Sequence, residues 1–593
     1  MIPEFLRRYV RRYLGTYVLG ILFLIATNLL TIAIPRMLKE VFDELAGQRR
    51  LEVVHHFAWW ISGFAVAVIF VRTFSRILFF NPGRTIEFRV RNDMLARLLG
   101  MSPQFFRKWS IGDILARASD DATFVRALVG FSVIMVLNIV LAAVLSLWQM
   151  LRTDAWLTLW CILPLLAAMA ALRVGVRYLF GRMKQVQEAL GRLSDTVLET
   201  YKGIAVVQGA AAEPGFLRRF DADNEHFTAL NQHTALVRTF LMPIVGVVGN
   251  LCIFLLLFIG GRHVVEKRMT LGDLAAYASY IGVLVGALAS AGWAVGVLQR
   301  GFVSLRRVWD VLSLTPDLPL GTQPLPPSAG GVHLRVSHLS YRHSDAQPDA
   351  PPALDDLSFE LHPGQVLGVY GAVGSGKSTL VSILGRLAPP PPGAVSLDGV
   401  DLLDVAADDL RRAVAIVPQD AFLFSRSVRE NVAFFDRSED VDNDRVALAV
   451  EKAQLAGEVA RFTDGLETVV GERGLMLSGG QRQRVQLARA FYRGCRLLVL
   501  DDVLSAVDHD TEARLLDVLQ GEIRERHTSA VVISHRLSAL MRADEILVLE
   551  GGRIVQQGTH QQLLRQEGLY ARVWDQQRER RDEVVQDQAL LAV

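Results

Sequence analysis

The chain has 593 residues, 51% of them hydrophobic and 21% charged. Its formal net charge is +2, with the basic residues scattered, which excludes an electrostatic nucleic-acid-binding arm. Three cysteines, Cys161, Cys252 and Cys495, lie far apart at no metal or redox spacing and read as buried thiols in a reducing context.

The first apolar stretch, residues 13–35, follows Arg7, Arg8, Arg11 and Arg12. It is too long for the apolar part of a signal peptide, and no small-residue cleavage site follows it. It therefore reads as an anchored helix whose amino terminus the arginines hold inside, with residues 3–12 as a short helix on the membrane surface. Five more stretches are free, or nearly free, of charge: 53–71, 127–151, 155–172, 239–261 and 274–299. A span needs about 20 apolar residues, so six spans are expected within residues 1–314, an all-α transmembrane domain embedded in the lipid bilayer. An even number of spans leaves both termini in the cytoplasm.

The loops between the spans alternate in character. The third and fourth spans are joined by Arg152-Thr153-Asp154, with Trp148, Trp156 and Trp160 beside them, the composition of an interfacial aromatic belt. Residues 84–126 and 173–238 are long, charged and helix-forming, and read as spans continued into the cytoplasm. The external loop 262–273 runs against the charge rule with Arg262, Lys267 and Arg268. Arg72 and Arg76 interrupt the second stretch and are expected near its cytoplasmic end, snorkelling or paired with another helix.

Prolines 316, 319, 324, 326 and 327 make residues 315–331 a linker that cannot continue a helix. From residue 332 short apolar strands alternate with helical stretches, the pattern of an α/β domain over 332–578 with a largely parallel sheet; a tail, 579–593, follows. Gly371-Ala372-Val373-Gly374-Ser375-Gly376-Lys377-Ser378-Thr379 follows a strand at 365–370 and opens a helix. That is the context of a phosphate loop. Backbone N–H groups face the phosphates of ATP, Lys377 adds a point charge, and the Ser378 hydroxyl can ligate Mg²⁺. The strand Leu497-Leu498-Val499-Leu500 ends in Asp501, the carboxylate expected to hold that Mg²⁺.

Leu477-Ser478-Gly479-Gly480-Gln481 makes a second anion cradle at a helix start. With this motif the chain resembles, over essentially its whole length, ABC transporter ATPases. The resemblance implies that this cradle closes over ATP held by the phosphate loop of a second chain, so that two nucleotides are sandwiched head to tail. It implies that Tyr341 stacks on adenine, that Gln419 senses Mg²⁺ and contacts the membrane domain, and that His535 is the switch at the γ-phosphate. Gly471-Glu472-Arg473-Gly474 and Ser505-Ala506-Val507-Asp508 resemble segments that communicate with the intracellular helices and between the sites. Residues 103–108 and 213–220 sit where the family has coupling helices.

The resemblance further implies an ATP-driven exporter of a drug-like, lipid or peptide substrate, placed in the cytoplasmic membrane. One position departs from the hydrolytic pattern: Asp502 stands where the family has a glutamate base. The stretch 500–508 resembles the degenerate subunit of heterodimeric bacterial multidrug exporters, which implies a partner half-transporter chain. A homodimeric exporter and an ATP-gated regulator are the alternatives.

Overall fold

A computed structural model describes residues 1–47, 51–318, 321–328, 330–343, 347, 350–437, 439–471, 474, 476–503 and 509–578. Glu472, Arg473, the stretch 505–508 and the tail 579–593 lie outside the described residues. The chain forms two compact units, one of Met1–Leu99 with Ser110–Leu314, the other of Gly100–Trp109 with Thr315 onward.

In the first unit six helices are long and apolar enough to cross a membrane: Ile2–Ala46, Leu51–Leu99, Ile111–Thr153, Ala155–Lys202, Glu213–Val265 and Leu271–Leu312. They keep large apolar side chains exposed, among them Leu22, Phe70, Val144, Phe240 and Phe258, as lipid-facing helices do. Their inner faces are fitted closely. A Cβ on Gly20 would lie 2.8 Å from the Phe79 ring, so glycine lets the first two helices approach, and Ser75 Oγ donates to the Gly20 carbonyl at 3.0 Å. Arg72 and Arg76 sit in mid-helix with exposed side chains.

Asp154 alone separates the third helix from the fourth. Its extended backbone breaks the helix, and its carboxylate caps the next one by accepting from the Leu157 N–H at 2.9 Å. The charge anomaly of the last external loop is offset locally, because Glu266 pairs with Arg262 at 3.0 Å and with Arg268 at 3.4 Å. Cys161 and Cys252 are buried neighbours, the Cys252 thiol lying 3.3 Å from the Cys161 carbonyl, and Cys495 is half-buried.

Residues 103–108 form a separate short helix, Pro103–Lys108. The other segment, 213–220, does not form a separate helix. Residues 213–220 are merely the first turns of the long helix Glu213–Leu255, and the short helix between the two long ones is Ile204–Gly209.

The second unit is an α/β domain with ten strands among its described residues: β1 Leu334–Tyr341, β2 Leu354–Leu361, β3 Val366–Gly371, β4 Val395–Leu397, β5 Val400–Asp401, β6 Val414–Val417, β7 Leu497–Asp501, β8 Ser529–Ile533, β9 Glu545–Glu550 and β10 Arg553–Gly558. One sheet is antiparallel, in the order β2-β1-β4-β5. The other, β10-β9-β3-β8-β7-β6, is parallel except at the β10 edge. Its central strands read as unbroken apolar runs because both faces are covered. Leu497 and Val499 join one apolar cluster, while Leu498 and Leu500 join the other. The register pairs Val369 and Asp501 each with Ile533, which brings the loops after β3, β7 and β8 together at the carboxyl edge. In parallel α/β sheets that edge is where ligands bind.

Candidate nucleotide site

The loop leaving β3 turns through two left-handed glycines, Gly374 (φ 84°) and Gly376 (φ 100°). A Cβ on Gly376 would stand 2.5 Å from the Ala353 carbonyl, so this turn requires glycine. Gly376 then caps the helix Lys377–Leu384, whose free N–H groups face back into the loop. Lys377 Nζ donates to the carbonyls of Gly371 and Ala372, both at 2.7 Å, and lies 3.5 Å from Ser375 Oγ. Burial lowers the Lys377 pKa, and the charges of Asp501 and Asp502 work against that. Val373 projects into solvent, whereas Ser375 is buried.

Asp501 ends β7, buried, and accepts a hydrogen bond from Ser378. Desolvation raises its pKa and Asp502 adds to this, while Lys377 and Ser378 pull it down. The sheet therefore delivers the expected lysine, serine and carboxylate to one place. Asp502 follows in left-handed backbone (φ 51°), a conformation aspartate tolerates better than most residues, with its N–H donating to the Ile533 carbonyl at 2.9 Å. Its buried Oδ1 lies 2.8 Å from Nδ1 of His535, which the chain carries just past β8 on a half-exposed side chain.

Gln419 follows β6 and Pro418 on an exposed turn, its carbonyl accepting from Gln483 Nε2 at 3.3 Å. Tyr341 ends β1. Its ring meets His343 edge-on at 5.3 Å, and His343 Nε2 lies 3.2 Å from Thr379 Oγ1, so the tyrosine is tied to the phosphate-loop helix. Two partners were missing from the sequence reading: His343, and Gln104, whose Nε2 donates to the Tyr341 hydroxyl at 2.7 Å. Gln104 sits on the short helix Pro103–Lys108, which is further held by Ser102, whose N–H and hydroxyl both donate to Asp317.

The second cradle starts the helix Gly479–Arg493. Ser478 caps it, accepting from the Gln481 N–H at 3.2 Å, while Gln481 Oε1 accepts from the Ser478 N–H at 2.9 Å. Leu477 and Gly480 are buried; Ser478 and Gly479 face outward. An anion presented from outside this chain would meet exposed N–H groups at a helix start.

Both units are similar to known proteins. Residues 17–288 match the ABC transporter transmembrane region family, and residues 354–505 match the ABC transporter family. A probable multidrug resistance ABC transporter ATP-binding/permease protein, YheI of Bacillus subtilis, is 32% identical over 96% of both chains. The chain belongs to the ABC transporter family. Among its relatives is the ATP-dependent lipid A-core flippase of Burkholderia pseudomallei, 30% identical over 95% of this chain and 93% of that protein. A bacterial Atm1-family ABC exporter solved with ATP bound shares the fold with a TM-score of 0.78, at 24% identity, over 96% of this chain and 98% of the other. As a member of that family, this ABC protein is a multi-pass membrane ATPase that couples nucleotide hydrolysis to transport, with its nucleotide-binding domain in the cytoplasm.

Proposed function

We propose that the chain exports a drug-like, lipid or peptide substrate as one half of a heterodimer, and that its own phosphate-loop site holds ATP but hydrolyses it slowly. Asp502 carries this reading. In this reading the residue after Asp501 polarises the attacking water, and here it is an aspartate whose Oδ1 lies 2.8 Å from His535 Nδ1. Its carboxylate ends one methylene short of a glutamate's, about 1–1.5 Å from the position a base needs, a misplacement that can cost about 100-fold in rate. The multidrug and lipid A-core relatives support an amphipathic cargo.

In this reading Lys377 and the N–H groups of residues 374–379 bind the phosphates, and Tyr341 stacks on adenine. The bonded pair Ser378 and Asp501, with Gln419, fits Mg²⁺ and would hold it; when bound, the ion neutralises charge on the phosphate oxygens. His535 contributes a donor at the γ-phosphate. The outward-facing Ser478–Gln481 cradle completes the site of the partner chain. The helix Pro103–Lys108, bonded through Gln104 to Tyr341, passes the closing of the nucleotide site to the spans.

The test is Asp502→Glu in the assembled transporter, with turnover at this chain's site read by trapping photoreactive ATP on this subunit. Wild type should retain ATP, and the glutamate variant should convert it to ADP about 100-fold faster. Equal conversion by the two contradicts the slow site. The cap geometry of Ser478 and Gln481 in this same chain favours a second reading, a homodimer of two weak sites.

A further inference from the structure

We propose that His333, Glu360 and His362 form a site for one divalent metal ion of borderline softness, Zn²⁺ above all, on the antiparallel sheet of the nucleotide-binding domain. Strands β1 and β2 pair with Leu334 opposite Leu361 and Arg335 opposite Glu360, so the same register sets His333 opposite His362. Leu334 and Leu361 point into the core, almost wholly buried. Alternation along the strands turns 333, 335, 360 and 362 to the other face. The result is two imidazoles across a strand pair, with a carboxylate two residues along from one of them.

The side chains are already drawn together. His333 Nε2 lies 2.5 Å from Glu360 Oε1, and the rings of His333 and His362 lie face to face, 5.3 Å between centroids and 7° from parallel. One ligand atom from each of the three residues falls within 4.8 Å of the others. A tetrahedral Zn²⁺ with bonds of about 2.0–2.2 Å needs its ligand atoms about 3.3–3.6 Å apart, a change that side-chain rotation alone supplies. The backbone underneath is fixed. The His333 N–H donates to Asp398 Oδ1 at 2.9 Å, Asp398 pairs with Arg496 at 2.7 Å, and the His362 N–H donates to Gln365 Oε1 at 3.1 Å.

Two imidazoles, one carboxylate and an open position for water make a ligand set typical of Zn²⁺, whereas Mg²⁺ prefers oxygen ligands alone. The competing group is Arg335, 3.7 Å from Glu360 and 62% exposed, free to swing into solvent when a cation arrives. The site is separate from the nucleotide. Tyr341 ends the strand that begins after His333, eight residues and roughly 26 Å along at the rise of an extended chain. A bound ion would tie strand β2, the edge of its sheet, to the first strand after the linker.

The test uses the full chain without a histidine tag, stripped with chelator, in lipid nanodiscs and without nucleotide. Co²⁺ is titrated as a visible probe and then displaced by Zn²⁺. One equivalent of Co²⁺ should bind, with the strong visible bands of a four- or five-coordinate ion. Glu360→Gln and His362→Ala should each weaken Zn²⁺ binding at least about 10-fold. Glu360→Gln keeps the shape of the side chain at a partly exposed strand position, so its result does not depend on the fold surviving a larger change. No bound Co²⁺, weak octahedral bands, or Zn²⁺ affinity unchanged in both variants overturns the site.

Discussion

Asp501 and Asp502 are carboxylates buried side by side with Lys377 near enough to offset part of their charge. Because burial raises the Asp501 pKa above its unfolded value, its ionised form weighs against the folded state, and stability falls as pH rises through that range. Asp501→Asn should therefore raise the thermal midpoint of the nucleotide-free protein at pH 7.5. The gain should shrink in acid, where the wild-type carboxyl takes up its own proton, and calorimetry at the two pH values checks this. The same substitution should abolish hydrolysis at this site, a trade of stability against function. Lys377→Ala removes a charge but leaves the glycine-built backbone cradle. Charge-assisted hydrogen bonds contribute about 1.5–3 kcal/mol each, so ATP affinity should fall about 10- to 100-fold, read by displacement of a fluorescent ATP analogue.

At the scale of elements, Asp154 is both the break between two spans and the cap of the second, and its Oδ2 also lies 2.9 Å from His263 Nδ1. Asp154→Ala should cost about 1 kcal/mol from the lost cap, seen as a lower unfolding midpoint in the assembled protein. That turn was legible because its signals are local: a short polar break flanked by tryptophans. The phosphate loop was legible for the same reason, since glycine, lysine and serine at fixed spacing dictate one backbone path. The short helix Ile204–Gly209 was not. Gly203, Gly209 and Pro214-Gly215 do mark its ends, but Ala210-Ala211-Ala212 and the charged residues on either side are strong helix formers, so the stretch reads as one continuous helix. Gln104 and His343 were illegible for another reason. They meet their partners across 237 and 36 residues, and only the folded chain brings them together.

The whole molecule joins six spanning helices to an ATPase domain whose second cradle faces outward. If that cradle serves another chain, Ser478→Arg should stop hydrolysis by the assembled transporter while photolabelling shows ATP still bound to this chain's own phosphate loop. Loss of that local binding would place the cradle in cis. In the proposed heterodimer, an outward cradle and a shortened base at position 502 would give this chain the role of the clamp. The most direct measurement is steady-state ATP turnover by the chain purified alone and together with a second half-transporter chain that co-purifies with it, each with aspartate and with asparagine at position 502. The account predicts slow turnover alone, and fast, substrate-stimulated turnover together that is insensitive to Asp502→Asn. Fast, substrate-stimulated turnover by the chain alone would contradict it.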